Sequence, residues 1–232
     1  MTEVKINTGS HDLDSLLHHG ISRSGITSIY GEAGTGKTTI ALQITTQTTK
    51  QGLKVLYVDS DRSFTQQRFQ QISGANSSEF SELVLLFFPD DFEEQRILLE
   101  SLESFLTPKV GLVVVDSMSS LYRAAFAGTD SIFRLNRMLT RQFAYLSELS
   151  ITHKVACLVT SQVHARLTAP IAQIEPVARR ALFHFPRSII RLRNTQSSNV
   201  KEFVVERDDG IDVSNRSCVL TLTEKGFIDY RN

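Results

Sequence analysis

Apolar positions along this chain follow two rhythms, and their alternation sets the expected architecture. Runs such as Leu112-Val113-Val114-Val115 and Val155 to Val159 are too continuous for a strand with one wet face. They read as strands buried on both sides, the mark of a parallel sheet covered by helices. The predicted strands are Ile26–Tyr30, Lys54–Asp59, Leu83–Phe88, Leu112–Asp116, Val155–Ser161, Ser188–Leu192, Phe203–Glu206 and Val219–Thr223. Helical stretches are predicted over Thr38–Lys50, Ser63–Ile72, Phe92–Leu106 and Ser131–Ser150. The last strands have no helix between them, so they are expected to pair as antiparallel hairpins at one edge, with Asp208-Asp209-Gly210 as a turn. The expected class is α/β: a mostly parallel twisted sheet flanked by helices, with antiparallel strands at the C-terminal edge. The helix over Ser131–Ser150 carries an apolar stripe (Leu135, Met138, Leu139, Leu146, Leu149) and a basic one (Arg134, Arg137, Arg141).

Chemistry enters where the first long strand stops. Gly31-Glu32-Ala33-Gly34-Thr35-Gly36-Lys37-Thr38 matches the phosphate-binding pattern G-x-x-x-x-G-K-[ST] in full, between a β-prone run and a helix that continues through Thr39. Glycines let the backbone curl so that successive N–H groups point at phosphate oxygens. The helix N-terminus adds partial positive charge. Lys37 is placed to reach the β- and γ-phosphates and Thr38 to offer a hydroxyl to Mg²⁺, so ATP and Mg²⁺ are the expected ligands. Leu112–Asp116 is an apolar strand ending in an acid, and paired with the upstream loop Asp116 reads as the second support for the metal.

Two further strand ends carry polar groups. Tyr57-Val58-Asp59-Ser60-Asp61 closes the second long strand, and Asp61 is the candidate base for the water that attacks the γ-phosphate; a helix-capping aspartate is the alternative. Gln162, in Thr160-Ser161-Gln162-Val163, could hydrogen-bond that phosphate or its water, against the plainer reading of a polar strand end.

The formal net charge of zero conceals two poles. From Glu79 to Glu103 eight acids face one base, Arg96; from Thr160 to Asn194 six arginines face one acid, Glu175. An arginine cluster of this kind can bind a polyanion even in a neutral protein, although charge runs are commonly just solvated. The segment from His164 to Arg193 is broken by Pro170, Pro176 and Pro186 and reads as a long loop leading into a basic strand. Nucleic-acid phosphates are its natural partners, and Phe183 or Phe185 could stack bases unless they pack in the core. Two cysteines, Cys157 and Cys218, form no disulfide or zinc pattern, and Cys157 in its apolar run reads as a buried, inert thiol. The polar N-terminus is not a secretory signal and no apolar run approaches a membrane span, so the expected setting is cytoplasmic.

In order along the chain, Thr8-Gly9-Ser10-His11-Asp12-Leu13-Asp14-Ser15-Leu16-Leu17, the loop Gly31–Thr38, Tyr57-Val58-Asp59-Ser60-Asp61, Val115-Asp116-Ser117 with Leu121-Tyr122-Arg123, Ser161-Gln162-Val163 and Leu222-Thr223-Glu224-Lys225-Gly226-Phe227 resemble the RecA/RadA recombinase superfamily. The resemblance covers nearly the whole chain, and Glu175-Pro176-Val177-Ala178 with the short length narrows it to an archaeal paralogue branch. It implies a RecA-type P-loop ATPase core as a single domain over residues 1–232, without the N-terminal helical domain of full-length recombinases. It implies ATP and DNA binding in homologous recombination and repair, on single-stranded or branched DNA with little sequence preference. The two DNA loops would map to about Arg123–Ser131 and about His164–Arg187, making Arg123, Arg134, Arg166, Arg179, Arg180 and Arg187 the DNA-binding candidates.

The branch is expected to hydrolyse ATP very weakly. It is expected to assist a RadA-type recombinase or modulate a Holliday-junction resolvase, with no membrane partner. Asp61 stands where the recombinases carry a catalytic glutamate. The shorter side chain sets the carboxylate about 1 Å from the productive place, a displacement that can cost roughly 100-fold in rate. A DNA-stimulated strand-exchange ATPase and a KaiC-type signalling ATPase working through protein partners are the alternatives.

Overall fold

The computed structural model describes residues 4–74, 82–126, 132–162 and 181–230. Its centre is a nine-stranded sheet made of β3 (Ile26–Gly31), β4 (Lys54–Asp59), β5 (Val84–Phe87), β6 (Val110–Asp116), β7 (Ala156–Gln162), β8 (Ser188–Asn194), β9 (Val200–Asp208), β10 (Ile211–Thr223) and β11 (Gly226–Asp229). The order across the sheet is β11-β10-β9-β8-β3-β7-β6-β4-β5. From β8 to β5 every pairing is parallel, and from β8 to β11 every pairing is antiparallel. A separate two-stranded ribbon joins β1 (Lys5–Ile6) to β2 (Ile21–Ser22).

The reason for the continuous apolar runs is visible in β6, which is buried along its whole length. Leu112 and Val114 face one core; Val113 and Val115 face the other. The first core is closed by α2 (Lys37–Lys50) and α3 (Gln66–Ser73), the second by α4 (Phe92–Ser101), α5 (Ser120–Phe126) and α6 (Ile132–His153). Helix α2 is threonine-rich yet buried on most sides. Thr45, Thr46 and Thr48 donate their hydroxyls to the carbonyls of Ala41, Leu42 and Ile44 at 2.8, 2.9 and 2.9 Å, which satisfies them in the core. On α6 the expected apolar stripe is the buried one.

Several elements depart from the sequence expectation for local reasons. Helix α3 begins after Thr65, because Asp59 draws Ser63 and Phe64 into a turn by accepting their N–H groups at 3.1 and 2.8 Å. Helix α4 ends at Ser101 and tightens into a 3-10 turn over Leu102–Phe105. Helix α1 (His11–Leu16) was not expected; its six residues show no periodicity and it stands on its caps. Ser10 Oγ accepts from Leu13 N, and Asp229 at the far end of the chain accepts from Ser10 Oγ, His11 N and Asp12 N at 2.5, 3.2 and 3.3 Å. His11, Asp12 and Asp229 therefore gather as a helix cap. The β9–β10 turn is the expected one: Asp209 and Gly210 have φ of 53° and 83°, both positive as a tight hairpin turn requires.

Part of the acidic pole is helix machinery. Asp91 caps α4, accepting from Glu94 N at 2.7 Å. Arg96 holds Glu93 and Glu100 at 2.5 and 2.6 Å, Arg141 reaches Glu100 from α6 at 2.8 Å, and Arg62 pairs with Asp90. The described part of this pole is thus largely paired, which a count of charges along the sequence does not show.

Candidate nucleotide site

Parallel strands all deliver their C-terminal ends to one edge of the sheet. There Gly31 lies in register with Gln162, and Asp59 with Asp116. The loop leaving β3 curls as its glycines require: Gly34 and Gly36 have φ of 75° and 94°. A Cβ on Gly34 would meet nothing within 4 Å, so that backbone faces open space where a phosphate could approach. A Cβ on Gly36 would sit 2.6 Å from the Phe227 ring, so the loop rests on β11 from behind. Lys37 Nζ donates to the carbonyls of Gly31 and Glu32 at 3.0 and 2.7 Å, and Thr35 Oγ1 to Glu32 O at 2.9 Å. Burial lowers the Lys37 ammonium below its ordinary range, Asp116 and Asp61 oppose this, and Arg123 adds to it. An ammonium placed this way gains from an added anion.

Asp116 is buried at the centre of the edge. Its carboxylate accepts from Tyr57 OH at 3.0 Å and from Thr160 Oγ1, and the Thr38 side chain stands close enough to favour its charged form. Burial raises its carboxyl above the usual range, and those hydroxyls work against the rise. Thr38 beside Asp116 places one hydroxyl and one carboxylate at the same edge, the pair of oxygens a Mg²⁺ ion needs. The residues present therefore fit the group.

Asp59 and Asp61, two residues apart, have separate posts. Asp59 is buried and holds the following turn, whereas Asp61 is exposed and lies in the electrostatic field of Lys37 and Asp116. Gln162 ends β7 with its N–H on Ser119 Oγ at 3.1 Å and its Oε1 accepting from Arg123 Nη2 at 3.1 Å. Tyr57 and Thr160 are thus partners that sequence reasoning did not assign, and Arg123, expected there as a DNA contact, joins the site through Gln162. A polar residue near the end of an otherwise apolar strand is the signal that could have found the first two.

The arginine candidates scatter. Arg123 turns toward Gln162. Arg134 lines an open groove of about 570 Å³ between α4 and α6, with Glu93, Phe133 and Arg137. Arg187 pairs with Asp209 and donates to Ser24 O at 3.2 Å beside the start of β3, so its guanidinium also serves the fold. Phe183 and Phe185 are partly buried against the second core, where they pack on Tyr30 and Phe143 with ring centres 5.3 and 6.2 Å apart. Arg166, Arg179, Arg180 and Glu175–Ala178 lie outside the described residues. Cys157 is buried and its thiol is pushed up to about 12 by burial, as expected of an inert cysteine. No helix among the described residues is long and apolar enough to cross a membrane.

Strand, glycine loop, helix and a buried acid two strands away make a candidate phosphate-loop site on a RecA-type sheet. A family model described as Rad51 matches residues 1–230. The chain is similar to the DNA repair and recombination protein RadB of Thermococcus gammatolerans, 33% identical over 227 residues covering 97% of this chain and 98% of that one. It is also similar to the RadB of Methanococcoides burtonii, 30% identical over 217 residues covering 92% and 93%. A crystal structure of the RadB recombinase aligns with a TM-score of 0.76 at 31% identity, covering 97% of this chain and 100% of that one. The chain belongs to the Rad51 family.

Proposed function

We propose that this protein binds ATP and DNA and acts in recombination and repair as an accessory to a main recombinase, hydrolysing ATP slowly. The observation that carries the reading is the Lys37 ammonium set between the loop carbonyls of Gly31 and Glu32, close to the buried Asp116 and beside the open backbone of Gly34. Residues Gly31 to Thr39 cradle the phosphates, Lys37 reaching the β- and γ-groups. Mg²⁺, when bound by Thr38 and Asp116, offsets the charge of the phosphate oxygens. Asp61 accepts the proton of the attacking water, and Gln162 senses the γ-phosphate. Aspartate in place of the recombinases' glutamate supports slow turnover.

DNA falls to arginines that contact its backbone without reading sequence. Arg134, Arg166, Arg179, Arg180 and Arg187 are the candidates, and Arg123 ties that function to Gln162. The names carried by the relatives favour recombination and repair as the setting; a RadA-type recombinase or a junction resolvase is the protein partner this reading expects.

Steady-state ATP hydrolysis, with and without single-stranded DNA, tests the accessory role. The expected result is slow hydrolysis that DNA leaves unchanged. A many-fold rise would instead mean a working strand-exchange ATPase. In the same preparation, DNA binding should weaken steeply with salt, and replacing Arg179 and Arg180 by alanine should flatten that slope by up to about two units. No salt-dependent DNA binding at all would favour a signalling ATPase that works through proteins.

A further inference from the structure

Two glutamines stand where the helices ask for apolar residues. Gln95 on α4 shares the buried stripe of Phe92 and Leu99; Gln142 on α6 shares that of Leu139 and Leu146. Both are fully buried. Gln95 Nε2 donates to Gln142 Oε1 at 2.7 Å, while Gln95 Oε1 accepts from Ser60 Oγ at 2.8 Å. Gln142 Nε2 is buried and has no hydrogen-bond partner among the described residues. Burying amides costs free energy unless they are bonded, and apolar residues of the same size would pack this stripe at least as well. The arm is retained at a cost, and it ends on Ser60.

Ser60 lies between Asp59 and Asp61 and is held at every polar group. Its N–H donates to Asp116 O at 2.9 Å, its carbonyl accepts from Ser120 Oγ at 3.3 Å, and its hydroxyl is the end of the glutamine arm. The far side of the segment is fixed by the Asp59 carboxylate on Ser63 and Phe64. Asp61 is exposed between these two anchors. Among the described residues no hydrogen bond holds its carboxylate, so its aim depends on the backbone either side.

We propose that Gln95 and Gln142 are positioning residues: through Ser60 they fix the backbone that aims Asp61 at the phosphate site. The proposal rests on the reading of Asp61 as base. The arm joins three elements, the end of β4 and helices α4 and α6, so it also couples the packing of those helices to the site. Displacing the carboxylate by about 1 Å is enough to lower turnover strongly while leaving phosphate binding alone.

The test compares Gln95→Met/Gln142→Leu, Ser60→Ala and Asp61→Asn with the unmodified chain. It measures single-turnover ATP hydrolysis, the affinity for a fluorescent ATP analogue, and thermal melting. The double variant removes the whole amide pair and leaves only the Ser60 hydroxyl without its acceptor, so it should melt within a few degrees of the parent temperature. Its nucleotide affinity should stay within about twofold while hydrolysis falls about tenfold or more. Ser60→Ala should lose the same factor, and combining all three substitutions should lose no more, because they act through one arm.

A folded double variant with unchanged hydrolysis overturns the proposal. So does a loss of affinity and melting temperature in step with hydrolysis, which is what mere packing would give. Should the double variant fail to fold, Ser60→Ala decides alone by the same readings. Asp61→Asn separates the two levels. If it loses hydrolysis while the arm variants do not, only the positioning role fails; if it keeps hydrolysis, Asp61 is not the base and the positioning role falls with it.

Discussion

The two halves of the sheet differ in what they contribute to the same loop. The parallel half, β8 to β5, is buried on both faces and delivers Gly31, Asp116, Asp61 and Gln162 to one edge. The antiparallel half, β8 to β11, supplies none of these groups and instead braces the loop from behind. Phe227 packs where a side chain on Gly36 would stand. Gln43 on α2 exchanges bonds with the Phe227 backbone at 2.7 and 3.1 Å, and Arg68 on α3 donates to Glu224 O at 2.8 Å. Asp229 caps α1. The lesson is a division of labour: substitutions at the parallel edge should change nucleotide chemistry, and substitutions in the antiparallel half should change stability.

The largest effect expected is at Lys37. Its ammonium makes two bonds, both to loop carbonyls, and these can be met by water when the side chain is removed. Lys37→Ala should therefore fold, with a melting temperature within about 4 °C of the parent. ATP affinity should fall at least about 100-fold, the loss of charge-assisted bonds to phosphate. Tight ATP binding by the variant, measured by calorimetry, would remove Lys37 from the site and break the comparison at its first term.

Phe227→Ala should show the opposite pattern. The ring is buried, stands edge-on to Phe203 at 5.0 Å, and backs the loop at Gly36. Removing it should cost about 3–5 kcal/mol of stability, read by denaturant unfolding. ATP affinity measured well below the melting temperature should change only a few-fold. A large loss of affinity without loss of stability would mean that β11 belongs to the site and does not merely support it.

The same division explains how much was legible in the sequence. The loop, Asp116 and the parallel strands were read to within about two residues because each depends on a local pattern: a glycine motif, an apolar run, an acid at its end. Partners that come from elsewhere in the chain were not legible. Nothing in Tyr57 or Thr160 says that both hydroxyls meet Asp116, and nothing in Arg187 says that its charge is spent on Asp209. Short elements failed for a different reason. Helix α5 and β11 span seven and four residues, too few for a period to show, and they form because tertiary contacts hold them.

The smallest effect expected is at Asp229, where the antiparallel half touches the start of the chain. Its carboxylate takes the Ser10 hydroxyl and two N–H groups of α1, so Asp229→Ala strands those donors and removes a negative charge from a helix N-terminus. The cost should be about 1 kcal/mol, a fall in melting temperature of about 2–4 °C. Asp229→Asn keeps an acceptor oxygen and should recover part of it. The amides of α1 should exchange with solvent faster in the alanine variant, while those of α2 and ATP affinity stay as in the parent. Unchanged exchange in α1 would mean that Ser10 alone caps the helix; weakened ATP binding would show that the bracing half reaches the phosphates, and the division of labour would fail at its gentlest test.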